Sequence, residues 1–216
     1  MQPETKIAAS DYPLVESTAQ KFFVKSTQII IAPILLTIRL LVVRNELYRD
    51  TAALNLKSNG SKATYILYSN HQSMLDPFII SASLPLRTIK QLLPFRFFVE
   101  NSYFKGSLRA FLNVLGGFPA HYEANKPYGL DKARSLMASN QTVVIFPPGM
   151  RTRKHVAKSG VSILATEPNS FLIPAHIDWK SRWHCEVHIG APIKGGVAHT
   201  PEQLMEHVYQ LPELLK

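Results

Sequence analysis

The sequence predicts an α/β domain in which helices layer a single β-sheet, preceded by a helical N-terminal segment. Three observations point there. From residue 64 onward, short runs rich in β-branched and aromatic residues alternate with amphipathic stretches. Apolar residues make up 46% and charged residues 18% of a 216-residue chain, which suffices for one buried core but not for two ordinary domains. The longest apolar run, residues 29–43, stands before that alternation begins. The turn cluster Ser58-Asn59-Gly60-Ser61 divides the chain into an N-terminal helical segment, 1–57, and the α/β domain, 58–216.

The run at 29–43 carries Pro33 and Arg39. Fifteen helical residues reach roughly 22 Å, short of a hydrocarbon core of roughly 30 Å. An interfacial helix is therefore expected, with Arg39 and Arg44 snorkelling to headgroups and Phe22, Phe23 and Lys25 as flanking anchors. A secretory signal fits poorly, because Glu4, Asp11 and Glu16 precede the run. Within the domain, residues 64–69 read as a buried strand and 77–84 as an apolar helix. Residues 106–115 read as helix, 117–120 as extended, 130–139 as helix and 142–146 as strand. Helix 158–166, strands 171–177 and 184–189 and an amphipathic helix at 201–211 complete the pattern.

A formal net charge of +9 favours anionic partners such as phospholipid headgroups, nucleic acid or acidic carrier proteins. The single cysteine, Cys185, excludes an internal disulfide and a thiolate-rich zinc site and fits a reducing compartment. His184-x-Glu186-x-His188 puts three potential ligands on one face of a strand, but the same pattern describes the polar side of an edge strand with Cys185, Val187 and Ile189 turned inward. The second description is preferred, and no metal is assigned. Phe95-Arg96-Phe97-Phe98, with Tyr103, Phe104, Lys105 and Arg109, mixes aromatics and cations, as do nucleic-acid platforms, membrane interfaces, tunnel mouths and ordinary cores. No zinc-finger or RNA-binding signature accompanies it, so nucleic acid is not expected. G-x-S-x-G, P-loop and G-x-G-x-x-G motifs are absent.

Chemistry concentrates after the first domain strand, in Asn70-His71-Gln72-Ser73-Met74-Leu75-Asp76-Pro77. Five residues on an α-helix turn through about 500°, so His71 and Asp76 would diverge by about 140° on an uninterrupted helix. A turn that enters the helix near Ser73 or Asp76 removes that obstacle. Asp76 then fixes the imidazole tautomer while the other ring nitrogen takes a proton from a hydroxyl. The competing structural account is a helix start, with Asp76-Pro77 as cap and first turn and Ser73-x-x-Asp76 as a capping box. A second segment, Phe146-Pro147-Pro148-Gly149-Met150-Arg151-Thr152-Arg153-Lys154, follows another strand and gathers cations suited to phosphate, or to a solvated basic loop.

Asn70-His71-x-Ser73-x-x-Asp76-Pro77, Phe146-Pro147-x-Gly149-x-Arg151, Lys158-x-Gly160 and Ile173-Pro174-x-x-Ile177 resemble, in order and spacing, the blocks of the glycerolipid acyltransferases, above all the 1-acylglycerol-3-phosphate acyltransferases. The resemblance runs from about residue 64 to 192. A location on the cytoplasmic face of a membrane is the default set by the single cysteine and the apolar run, and the resemblance implies a mixed sheet flanked by helices of the glycerol-3-phosphate acyltransferase type and a membrane-dipping N-terminal motif. It also implies transfer of a fatty acyl group from acyl-CoA or acyl-carrier protein, as co-substrate rather than bound cofactor, to a lysolipid hydroxyl. His71 is then the general base and Asp76 its orienting partner, with Asn70, Ser73, Gly149, Arg151 and Arg153 at the substrate. Two positions depart from the family pattern: Pro148 replaces a usual Glu, and Tyr122 stands where an acceptor-gripping arginine is common. Either Arg151, Arg153 or Lys154 supplies the charge for lysophosphatidate, or the acceptor is a zwitterionic or uncharged lysolipid. A catalytically silent lipid-binding relative is the alternative.

Overall fold

The computed structural model describes residues 13–48, 63–120, 128–148, 157–181 and 183–214, with the backbone alone for 44–48. Helix α1 (Thr18–Val42) leads into β1 (Val43–Tyr48). Then come β2 (Thr64–Ser69), α2 (Asp76–Ser83), α3 (Leu86–Leu92), β3 (Phe95–Val99), α4 (Gly106–Leu115) and β4 (Gly117–Pro119). The chain continues through α5 (Tyr128–Ala138), β5 (Thr142–Ile145), α6 (Gly160–Ala165), β6 (Ser170–Ser181), β7 (His184–Ile189), β8 (Ile193–Lys194) and α7 (Pro201–Leu214). All eight strands form one mixed sheet in the order β1-β7-β6-β2-β5-β3-β4, with β8 pairing β6. Strands β6, β2, β5, β3 and β4 run parallel, β7 and β8 run antiparallel to β6, and β1 is parallel to β7. The expected sheet flanked by helices is the architecture observed.

Alternation along the strands builds a core on each face of the sheet. Leu67, Val144, Ile173 and Phe97 meet Ile79 and Ile80 of α2, Leu92 of α3 and Val42 of α1 on one face. Ile66, Tyr68, Val143 and Leu172 meet Leu136 of α5, Val161 and Leu164 of α6 and Val208 of α7 on the other. Each such fully buried aliphatic side chain contributes about 2 kcal/mol.

Helix α1 is 25 residues long, against the fifteen read from apolarity. Its first turns, Thr18-Ala19-Gln20-Lys21, are polar, and Ser17 caps them by accepting from the Gln20 N–H at 3.1 Å, so hydrophobicity marks only part of the helix. At 1.5 Å per residue it reaches roughly 37 Å, so the expectation that it is too short to span a bilayer does not hold on length. By length and composition it qualifies as a candidate span. The domain nevertheless holds it at mid-length. Buried Gln28 donates to the carbonyls of Phe95 (2.7 Å) and Leu115 (2.8 Å) and accepts from the Phe95 N–H (2.9 Å). Gly116, at φ +102°, leaves the space this requires, since a Cβ there would lie 2.4 Å from Phe95 O and 2.8 Å from Gln28 Nε2.

A second fastening lies just before α1. The Glu16 carboxylate pairs with Arg96 of β3, lies 3.5 Å from Lys132 Nζ and accepts from Gln141 Nε2 at 3.3 Å. Lys132 also donates to the Pro13 carbonyl at 2.6 Å. Burial pushes the Arg96 and Lys132 side chains down from their ordinary pKa values, and Glu16 opposes that shift. The aromatic-cationic run at 95–98 is thus a strand, with Phe95 and Phe97 in one core, Phe98 packed on the other and Arg96 buried by its ion pair. Strand β7 is interior, covered on its outer side by β1, rather than the edge strand expected. Cys185, Val187 and Ile189 face the core as expected. Strand β1 lies within the 1–57 segment, and its partner is β7.

Candidate active site

Strand β2 ends at Ser69, in the middle of the sheet between β5 and β6. From its end the chain turns to α2 on one face, whereas β5 sends the chain to α6 on the other. Adjacent parallel strands whose connections leave on opposite faces open a crevice at their carboxyl ends. His71 follows β2 and Phe146 follows β5 at that crevice, their rings stacked with centroids 4.4 Å apart and planes at 28°.

Residues 70–75 are not helical, and α2 begins at Asp76. The helical geometry that would separate His71 from Asp76 is therefore avoided. Nδ1 of His71 lies 2.9 Å from Oδ2 of Asp76. The same oxygen accepts from the backbone N–H groups of Gln72 (2.6 Å) and Ser73 (2.8 Å), and Oδ1 accepts from the indole N–H of Trp179 (2.7 Å). Asp76 is wholly buried, whereas the His71 side chain keeps 20% of its surface. Four donors thus surround the carboxylate, three on Oδ2 and one on Oδ1. A proton on Nδ1, facing that carboxylate, leaves the imidazole lone pair on Nε2, where it can serve as a base.

The turn is stitched to β6, which runs beyond the end of β2. Asn70 donates from Nδ2 to the Ile177 carbonyl at 2.7 Å and accepts the Ile177 N–H at 2.8 Å, and Gln72 accepts the Trp179 N–H at 3.2 Å. Asn70, expected at the substrate, is 3% exposed, with its amide engaged in this bracket. Ser73 accepts the Leu75 N–H on its hydroxyl at 3.2 Å, and its own N–H goes to Asp76, which forms half of the capping box. Gly149, Arg151 and Arg153 lie outside the described residues, as do Lys154 and Tyr122. The neck of that basic segment is described: Lys158 N–H donates to the Pro147 carbonyl at 2.9 Å, one residue beyond the Phe146 ring. Trp179 and the Phe146 stack were missed in the sequence. Nothing in the local pattern Ile177-Asp178-Trp179 marks an indole that closes on a carboxylate 103 residues away.

An apolar groove lies between α1, α2, α3 and β3. Ile31 and Leu35 of α1, Phe78 of α2, Ile89 of α3 and Phe97 of β3 line it. Phe78 is two residues past Asp76, and its ring centre is 5.4 Å from that of Phe97. On the far side of the β6–β7 ladder, His176 stands 6.0 Å from His188, and burial lowers the His176 pKa to about 4. Lys180 bonds Asp178 at 2.5 Å and lies 3.6 Å from Glu186. Among the described residues no group of three His, Cys, Asp or Glu side chains is placed to hold a metal ion.

No curated protein matches the chain. A family model described as Acyltransferase matches residues 43–178, from the start of β1 almost to the end of β6, and so takes in His71, Asp76 and Phe146. The match spans more than half of the sequence, and the chain therefore belongs to the acyltransferase family of the 1-acylglycerol-3-phosphate acyltransferase type.

Proposed function

We propose that the protein transfers a fatty acyl group from an acyl thioester, on coenzyme A or acyl-carrier protein, to the hydroxyl of a lysophospholipid at the cytoplasmic surface of a membrane. The observation that supports this reading is the His71–Asp76 contact at 2.9 Å, which favours the ring proton on Nδ1 and so the basic lone pair on Nε2. His71 Nε2 takes the proton of the acceptor hydroxyl as its oxygen attacks the thioester carbonyl. The tetrahedral intermediate then collapses, the carbon–sulfur bond breaks, and the leaving thiolate recovers that proton from the imidazolium. The N–H groups of Gln72 and Ser73 are engaged by Asp76, so we assign oxyanion and acceptor-phosphate stabilisation to the 149–156 segment, with Gly149, Arg151 and Arg153. Asn70 and Ser73 serve the acceptor side by shaping the turn. The groove beside Phe78 suits the acyl chain, being lined by apolar side chains.

Helix α1 lies along the membrane surface in this reading. Phe23, Ile30, Ile34 and Leu41 are exposed and fall within about 20° of one line on the helix, while Val24, Gln28 and Val42 are buried against the domain. A helix fastened along its length to a folded domain presents one face to lipid rather than its whole circumference. Register brings its end to the site: Val43 pairs Cys185, and Cys185 pairs Trp179, which binds Asp76. The exposed Leu40, Leu41, Met74 and Leu75 suit a lipid-facing rim there.

The test is a panel of lysolipids with different headgroups, offered with acyl-CoA and with acyl-carrier protein in vesicles. Turnover on at least one acceptor is expected. Vesicle binding with no turnover on any pair would instead establish a silent lipid-binding relative, for which Pro148 and Tyr122 are the sequence argument.

A further inference from the structure

We propose that Trp179 is a positioning residue for the catalytic carboxylate, an inference that rests on His71 acting as the general base. Three of the four donors to Asp76 converge on Oδ2: His71 Nδ1 and the N–H groups of Gln72 and Ser73. All three come from the turn that precedes the carboxylate in sequence. The Trp179 indole N–H alone meets Oδ1, at 2.7 Å, from the opposite strand. Rotation about Cβ–Cγ carries both carboxylate oxygens together, and the three donors on Oδ2 all belong to one turn, so they oppose that rotation only as far as the turn itself is held. A donor on each oxygen fixes its plane, and with it the direction of the imidazole. Asp76 is wholly buried, so bulk water does not reach Oδ1 while the indole is in place.

The indole is itself held in place. The Trp179 backbone N–H donates to Gln72 Oε1 at 3.2 Å, and two residues earlier Ile177 is bracketed by Asn70. Cys185 pairs Trp179 from β7, so the backbone at 179 is fixed from the β7 side and by Gln72. Trp179 also lies one residue beyond the segment that the family model matches, so the family blocks assign it no role. Trp183, the other tryptophan, is exposed.

The test compares wild type with Trp179→Phe, which keeps an aromatic ring and removes the N–H. Steady-state kinetics should show kcat lowered roughly tenfold or more with KM for donor and acceptor within twofold. The ¹⁵N resonances of the neutral His71 ring should show the Nδ1–H tautomer in wild type and a mixture in the variant. A raised KM with unchanged kcat, or a fallen kcat with the tautomer unchanged, overturns the proposal. The tautomer measurement needs no substrate. If wild type transfers no acyl group, the general-base reading fails while the tautomer result still decides whether Trp179 positions the carboxylate. Should Trp179→Phe not fold, the Trp183→Phe background leaves Trp179 as the one tryptophan. Asp76→Asn in that background should move the indole N–H resonance, and an unmoved resonance overturns the contact.

Discussion

Asn70 prolongs the pairing of β2 with β6 by one step, with its side-chain amide standing in for backbone: Nδ2 donates to the Ile177 carbonyl at 2.7 Å and Oδ1 accepts the Ile177 N–H at 2.8 Å. The β2–β6 ladder itself ends at Ser69 and Ala175. His71 can therefore leave the plane of the sheet while the chain on either side of it stays fixed to β6. Asn70→Ala strands a buried N–H and a buried carbonyl, and the expected loss is about 3 kcal/mol of stability. Denaturant unfolding measures that loss. A stable variant with a raised acceptor KM would return Asn70 to direct substrate contact.

Glu16 is the counter-charge for two buried cations. Glu16→Gln leaves Arg96 and Lys132 without an ionised partner, and the expected destabilisation is about 3 to 5 kcal/mol. Because Glu16 also anchors the chain just before α1, limited proteolysis ahead of Thr18 should accelerate in the variant. Unchanged stability would show that the cations find other partners.

Ile30 and Ile34 stand 73% and 61% exposed on the outer line of α1. Replacing both with Glu leaves the buried face intact and places two charges where lipid is proposed. Sedimentation with anionic vesicles should fall at least tenfold while thermal stability stays within about 1 kcal/mol. Deleting 1–45 is a poorer test, since it also removes Gln28, Glu16 and the start of β1. Undiminished vesicle binding by the double variant would refute the interfacial placement of α1.

His176 is held neutral. Burial is the main cause and neighbouring His188 adds to it, lowering the pKa to about 4 from the ordinary 6.5. Between these values the unfolded chain binds the proton more readily, so the contribution is fully present above about pH 6.5. It is lost as the pH falls toward 4, to a limit of about 3 kcal/mol. His176→Phe should flatten that part of the stability profile, as read by chemical denaturation across the range. An identical acid slope in wild type and variant would contradict the assignment.

The sequence carried most of the sheet and the placement of the His71 pair, and physical reasons mark where it stopped. The spacing of His71 and Asp76 made sense only with a turn between them, and residues 70–75 form that turn. Strand β3 escaped notice because Arg96, buried by its pairing with Glu16, breaks the inside-outside alternation that marks a strand. Helix α1 was read short because its opening turns are polar, and β7 was read as an edge because β1 covers it from far away in the chain. Trp179 was invisible for a related reason, since its partner is fixed by the β6 register and not by local pattern.

The most direct measurement is the initial rate of acyl transfer by His71→Ala, on whichever acceptor wild type uses best, at matched folded concentration. The variant loses the base and its stack on Phe146, while Asp76 retains its contacts with Gln72, Ser73 and Trp179. A fall of about 10² to 10⁴ in kcat is the expected result. A variant that transfers acyl groups at the wild-type rate would contradict the account.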